Sequence, residues 1–377
     1  MRDKNILMVD LVGQYEKIKD EINQNIINSL QEGKFINGPI VKEFSQNLSN
    51  FLNVKHVIPC ANGTDALQIA LMALGLKPGD EIICPSWSYI STAETASLLG
   101  IKAVFCDVDM YTFNMTAVNV EKLINKKTKA IIPVHLYGQS CEMEPILKLA
   151  SKHKLKVIED NAQAIGCKYT FSNGDKKYTG TMGDIGTTSF YPTKNLGAYG
   201  DGGAIFTNDD KLAKKLIMIA NHGESKKYHH KIIGCNSRLD SIQAEVLNVK
   251  LKYLNDYNNA RNQMAENYNK AFNSVEQLHI PELNKNSTHV YHQYTLRVHP
   301  IYRDSLRLYL KGKGIDNRIY YPIPLHKQKV FSKIVDPNYN LPNTNLLSAT
   351  CLSLPIHTEL ENSDQEYIID NVLNFFK

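Results

Sequence analysis

Between residues 55 and 210 the chain repeats one unit, a short apolar run followed by an amphipathic or loop segment. The runs are HVIPC (56–60), EIICPS (81–86), AVFCDV (103–108), AIIPVHL (130–136), KVIED (156–160), TTSFY (187–191) and AIFTN (204–208). Several are continuously apolar instead of alternating, the pattern of strands covered on both faces. The clearest intervening helix is TDALQIALMALG (64–75), where Leu67, Ala70, Leu71 and Leu74 keep one face apolar. Gly75 and the turn KPGD (77–80) stop it, and Thr64 stands where a cap is wanted. The alternation predicts an α/β domain with a seven-stranded, mostly parallel sheet between helices.

The flanks read differently. Residues 10–33 form a polar amphipathic helix, and helical stretches over 240–275 lead to a smaller mixed region. That region has a strand near 291–298 and helices near 302–313 and 364–376. The expected organisation is a large domain over 1–250 with the N-terminal helix, and a small C-terminal α+β domain over 251–377.

Composition narrows the class. Hydrophobic residues make up 43% and charged residues 21%, an ordinary globular balance. No run approaches the ~18 apolar residues of a membrane span, and the first residues lack the apolar segment of a signal peptide. A cytoplasmic protein with no membrane partner is expected. The seven cysteines stand singly, without CxxC or Cys/His clusters, so they read as reduced core residues and no metal site is expected. A net charge of +5 is mild. The densest basic patch, KKYHHK (226–231), is either a solvated loop or an attractor of a small polyanion. Nucleic-acid binding would need a longer basic stripe or a module, and neither is present.

Four segments carry candidate chemistry. In ANGTDALQIAL, Gly63 lets the backbone come close, and the start of the helix offers free N–H groups to an anion. Without a ligand the same segment is a well-capped buried helix. In VIEDNAQAIG, Asp160 ends an apolar strand at the sheet edge where α/β proteins keep their sites. It could ligate a metal, act as a base, pair with a cationic ring nitrogen, or cap the next segment. The single tryptophan, Trp87, follows another strand end, as core packing or as a flat face for a ring. In SFYPTKNLGAYGDGGAI, Ser189 lies five positions before Lys194, with Pro192 stiffening the link. A lysine held partly out of water has a lowered pKa and attacks carbonyl carbon.

Each signal is weak singly. Together, in one domain, they supply the four contacts that pyridoxal 5′-phosphate requires: phosphate, ring face, ring nitrogen and aldehyde.

The chain resembles the DegT/DnrJ/EryC1/StrS sugar aminotransferases, of the fold-type I pyridoxal-phosphate class. The resemblance runs through FINGPIVKEF (35–44), ANGTDALQIAL (61–71), PVHLYGQ (133–139), EDNAQAIG (159–166), SFYPTKNLGAYGDGGAI (189–205), GCNSRLDSIQAEVL (234–247) and YYPIPLHKQ (320–328). It implies that Lys194 carries the cofactor as an imine and shuttles the proton, and that Asp160 pairs with the ring nitrogen. It further implies Gln163 at the ring or its 3-hydroxyl, Trp87 stacked on the ring, and Gly63, Thr64 and Ser189 around the phosphate. It implies too a site shared in a homodimer, with Asn236 of GxNxR reaching the neighbour's cofactor phosphate and Arg238 near the substrate. Tyr320, Tyr321 and His326 are implied as sugar-nucleotide contacts. One branch of the family replaces the lysine with histidine and dehydrates its substrate, so Lys194 points to transamination.

The implied reaction moves an amino group from L-glutamate, released as 2-oxoglutarate, to a ketone on a nucleotide-linked sugar. DLVGQY, PVHLYGQ and YYPIPLHKQ look most like members acting at C3, on dTDP-3-keto-6-deoxyhexoses or UDP-linked 3-keto-hexuronates, for a bacterial surface polysaccharide or O-antigen. Amination at C4 of a 4-keto-6-deoxy sugar is the alternative, and a dehydratase using the same cofactor a more distant one.

Overall fold

A computed structural model describes residues 5–377. The seven apolar runs become strands β1 (His56–Cys60), β2 (Glu81–Pro85), β3 (Lys102–Cys106), β4 (Thr128–Ile131), β5 (Lys156–Asp160), β6 (Ile185–Ser189) and β7 (Gly203–Thr207). They form one sheet in the order β1-β7-β6-β5-β4-β2-β3. Its parallel pairs are β2 with β3, β2 with β4, β4 with β5, and β5 with β6. Strand β7 runs antiparallel to both β6 and β1. The sheet is the mostly parallel one expected of the fold-type I aminotransferases.

Burial explains the unbroken apolar runs. In β5, Val157 faces a cluster with Ile146, Leu149 and Ala150, while Ile158 faces one with Leu67, Ala70 and Leu71. Both faces are covered, so neither can be polar. The strand read over 130–136 stops at Ile131, because Pro133 has no N–H to give the ladder. Pairing resumes as a single bridge between Val134 and Asp160, with Pro133 accepting the Asp160 amide at 2.9 Å.

Helix α1 (Leu11–Glu32) and helix α2 (Pro39–Leu52) precede the sheet, and α3 (Gly63–Leu74) follows β1. Gly75 ends α3 in the left-handed conformation with φ of 76°, as its sequence position suggested. The cap at the other end is Asn62, not Thr64: the Asn62 side chain accepts the Asp65 amide at 2.8 Å. Asn62 is extended, whereas Thr64 already lies within the first turn. That leaves the Thr64 hydroxyl free of capping duty.

One helix of 32 residues, Ser241–Phe272, joins the two halves of the molecule. Ala244, Leu247, Leu251 and Leu254 pack with α2 and β7, whereas Ala265, Tyr268 and Phe272 pack into the C-terminal core. That core sits on a three-stranded antiparallel sheet of β8 (Leu278–His279), β9 (Tyr294–Val298) and β10 (Cys351–Leu354). The helices Pro300–Gly312 and Asn362–Phe375 complete it. The basic patch 226–231 lies on an exposed hairpin, Glu224–Lys226 paired with His229–His230. All seven cysteines are free, and six are buried. Among the described residues no helix is long and apolar enough to cross a membrane.

Candidate active site

The C-terminal ends of β1, β2, β5 and β6 surround a cavity of about 880 Å³, closed on the far side by Ile319–Pro322 and by His292 and Gln293. Asn62, Gly63, Thr64, Asp160, Gln163, Ser189 and Lys194 all line it. Sequence positions more than a hundred residues apart therefore meet at one sheet edge.

At the bottom, the first turn of α3 presses on the end of β6. A Cβ on Gly63 would lie 2.8 Å from the Cβ of Ser189, so any larger residue would wedge the two apart. Close by, a Cβ on Gly203 would lie 2.5 Å from the Asn62 carbonyl carbon. The first amides of a helix have no partner within it and its dipole is positive there. With the hydroxyls of Thr64 and Ser189 beside those amides, the seat suits a phosphate.

Asp160 is 5% exposed. Its Oδ2 accepts from the Thr92 hydroxyl at 2.9 Å and its Oδ1 from the Ala162 amide at 3.2 Å. Burial pushes its pKa above the usual carboxylate value, while Thr92, Ala162 and the charge of Lys194 pull the other way. The adjacent Glu159 faces away from the cavity, fully buried. It accepts from the amides of Gly180, Met182 and Gly183 and pairs with His135 at 2.9 Å. The alternation of the strand divides the two acids: one shapes the fold, the other faces the site.

Lys194 sits in a turn where its amide donates to the Tyr191 carbonyl at 2.8 Å. Ser189 Oγ accepts the Tyr191 amide at 3.2 Å, tying the turn to the end of β6. Burial lowers the Lys194 pKa to about 8, partly opposed by the charge of Asp160. Roughly one amine in ten is then neutral near pH 7, and the neutral form is the nucleophile toward an aldehyde.

Gln163 is held at both ends. Its Oε1 accepts the Tyr137 amide at 2.8 Å and its Nε2 donates to the Tyr321 hydroxyl at 3.0 Å. Tyr320 and Tyr321 line the cavity, joined by a cis peptide.

Four expected residues do not reach the cavity of their own chain. Trp87 is completely buried with Val108, Phe113, Leu136 and Tyr137, and its Nε1 donates to the Tyr137 hydroxyl at 3.1 Å. A ring with both faces packed has none left for a cofactor, which corrects the stacking expectation. Two residues on, Tyr89 lines the cavity and is 58% exposed, so the free aromatic face is there. His326 is also buried: Ser86 Oγ lies 2.7 Å from its Nδ1 and accepts its backbone amide at 3.1 Å. It fastens the C-terminal segment to the end of β2 and does not line the cavity, contrary to its expected sugar contact. Asn236 and Arg238 also lie outside the cavity of their own chain, with Asn236 exposed. Ser237 between them accepts the Ala61 amide at 3.0 Å, which anchors the loop behind the anion seat.

Thr92 and Tyr89 were missed as individual residues, though both lie in the stretch PSWSYISTAE that the tryptophan singled out. A hydroxyl and an aromatic following a strand were the available signal.

The close approach at Gly63, the amides of α3, the low-pKa lysine and the buried acid across the cavity fit pyridoxal phosphate. The comparisons agree: the sequence pattern of the DegT/DnrJ/EryC1/StrS aminotransferase family matches residues 16–373. The chain belongs to this family. It is a pyridoxal-phosphate-dependent aminotransferase of nucleotide sugars. It is 42% identical to the UDP-2-acetamido-2-deoxy-3-oxo-D-glucuronate aminotransferase of Pseudomonas aeruginosa, over 98% of this chain and 100% of that one. It is 43% identical to a pleiotropic regulatory protein of Geobacillus stearothermophilus, over 99% of each chain. Its fold matches the crystal structure of S. venezuelae DesV in complex with a ketimine intermediate at a TM-score of 0.95. That match is 35% identical and covers 99% of both chains.

Proposed function

We propose that this aminotransferase transfers the amino group of L-glutamate to C3 of a UDP-linked 3-oxo-hexuronate. The observation that carries the reaction type is the placement of Lys194 and Asp160 in one cavity above the first turn of α3. The C3 position and the UDP-linked acid are favoured by the 42% likeness, over the full length, to the Pseudomonas aeruginosa enzyme. The regulatory name of the Geobacillus relative does not alter this reading, because Lys194 and Asp160 are both present and both face the cavity.

Lys194 would hold the cofactor, Asp160 its ring nitrogen, and Gly63, Thr64 and Ser189 its phosphate. Gln163 would stand beside the ring and Tyr89 over it. Bound, the cofactor supplies an electron sink for the charge left when the carbon bearing the amine loses its proton. Asp160, buried at the cavity wall, would stabilise a proton on the group it faces. Lys194, with a pKa near the working pH, is suited to take the proton that the amine-bearing carbon gives up and to return it to a neighbouring atom.

The working unit in this reading is a homodimer. Asn236 is exposed on a loop anchored behind the phosphate seat, and a second copy would bring it and Arg238 to the neighbouring cavity.

The test is to incubate the purified protein with glutamate and a UDP-linked 3-oxo-N-acetylglucosaminuronate, and to locate the new C–N bond by NMR. The expected product is the 3-amino sugar with equimolar 2-oxoglutarate. Amination only of a dTDP-linked 3-keto-6-deoxyhexose, or only at C4 of a 4-keto sugar, would overturn the substrate proposed.

A further inference from the structure

The wall of the cavity opposite the anion seat carries a polar side chain that none of the roles above uses. His292 lines the cavity, is only 8% exposed, and has no hydrogen-bond partner at Nδ1 among the described residues. Its backbone is pinned from two sides. Arg261 Nη1, buried beneath it, donates to the carbonyls of Tyr291 at 3.2 Å and Ile356 at 2.7 Å, with His292 O at 3.4 Å. Above it, Gly138 at φ of 110° comes so close that a Cβ there would lie 2.9 Å from the His292 amide and 2.8 Å from that of Tyr291. The next residue, Gln293, donates its amide to the Tyr137 carbonyl at 3.3 Å. The imidazole is thus mounted on a fixed backbone at the cavity wall, and a buried polar atom left unpaired there is costly unless a small shift of the ring lets a bound group satisfy it.

The charges around the cavity narrow the choice of ligand. Among the described residues its lining holds three carboxylates, Asp65, Asp160 and Asp201, against a single ammonium, Lys194. Lys194 is committed to the cofactor and the start of α3 to a phosphate. An acidic amino donor still has to place an α-carboxylate two bonds from the amine that reacts at Lys194, so that group needs a donor close to the lysine. Burial, and after it the charges of Lys194 and Arg261, hold the pKa of His292 well below the ordinary value. The imidazole is then neutral, with one N–H to donate.

We infer that His292 binds the α-carboxylate of the amino donor, a donor-binding role distinct from the contacts that recognise the nucleotide sugar. This rests on the glutamate-dependent reading above.

The experiment uses the cofactor-loaded protein and follows the two half-reactions separately by cofactor absorbance, alongside binding of unreactive glutarate. In His292→Ala the half-saturating glutamate should rise about 10-fold or more, the loss of one hydrogen bond to a charged group. Glutarate should weaken alike, while half-saturation by the nucleotide sugar stays unchanged. His292→Asn, which keeps an N–H donor, should recover part of the loss. 4-Aminobutanoate, an amine without the α-carboxylate, should serve wild type and His292→Ala equally well. Unchanged glutamate saturation overturns the inference, as does an equal loss for glutamate, 4-aminobutanoate and the sugar, which a merely structural histidine would give. If the wild type takes no amine from glutamate at all, the functional reading falls first and this inference with it.

Discussion

Replacing Asp160 by asparagine should make Lys194 more reactive toward a free aldehyde at neutral pH, although it spoils the site for catalysis. Two influences set the lysine: burial pushes its pKa from 10.5 down to about 8, and the negative charge of Asp160 holds it from falling further. At pH 7 a pKa of about 8 leaves roughly one amine in ten neutral, against about one in three thousand at 10.5, a gain of ~300-fold. Asparagine removes the opposing charge and leaves the burial, so the titration moves lower still and the neutral fraction rises. The assay is stopped-flow capture of pyridoxal 5′-phosphate by cofactor-free protein across a pH series. For the wild type the rate should climb with pH and level off above about 8. For Asp160→Asn it should level off at lower pH and be faster near neutrality, even as the captured cofactor dissociates more readily. A wild-type midpoint near that of an ordinary lysine, or a midpoint that moves upward in the variant, would refute the reasoning.

Other expectations follow from neighbouring contacts. Glu159→Ala strips one buried acceptor from three amides and from His135, so denaturant unfolding should show a loss of about 3–5 kcal/mol. Gly63→Ala should leave the fold intact but weaken cofactor binding by about 10-fold or more, measured by equilibrium dialysis, because its Cβ would meet Ser189 at 2.8 Å. Trp87→Phe should cost stability, about 1 kcal/mol from the lost bond to Tyr137 plus packing, with cofactor affinity unchanged. Tyr89→Ala should do the reverse, since Tyr89 is exposed at the cavity. Asn236→Ala should weaken cofactor retention while protomer stability stays the same, and a fully active monomer by light scattering would contradict the shared site.

Much of this molecule is set along the chain. Strand positions survive translation into structure within a few residues because an apolar run covered on both faces has only one way to avoid water, and KVIED and HVIPC match their strands end to end. Lys194, Asp160, Gly63 and Ser189 were recognisable because backbone chemistry marks their places: a strand end, a glycine before a helix, a proline before a turn. Which side chain faces the cavity was decided by packing across distant segments. Trp87 and Tyr89 are both aromatic and only two positions apart, yet contacts with Phe113, Leu136 and Tyr137 bury the first and leave the second free. His326 reads as a site histidine until the end of β2 brings Ser86 against it. His292 gave no local signal, since its position depends on Arg261 and on the close approach of Gly138. Local sequence governs backbone conformation, whereas which side chain is buried and which faces the site is settled only when elements distant in the chain compete for the same space.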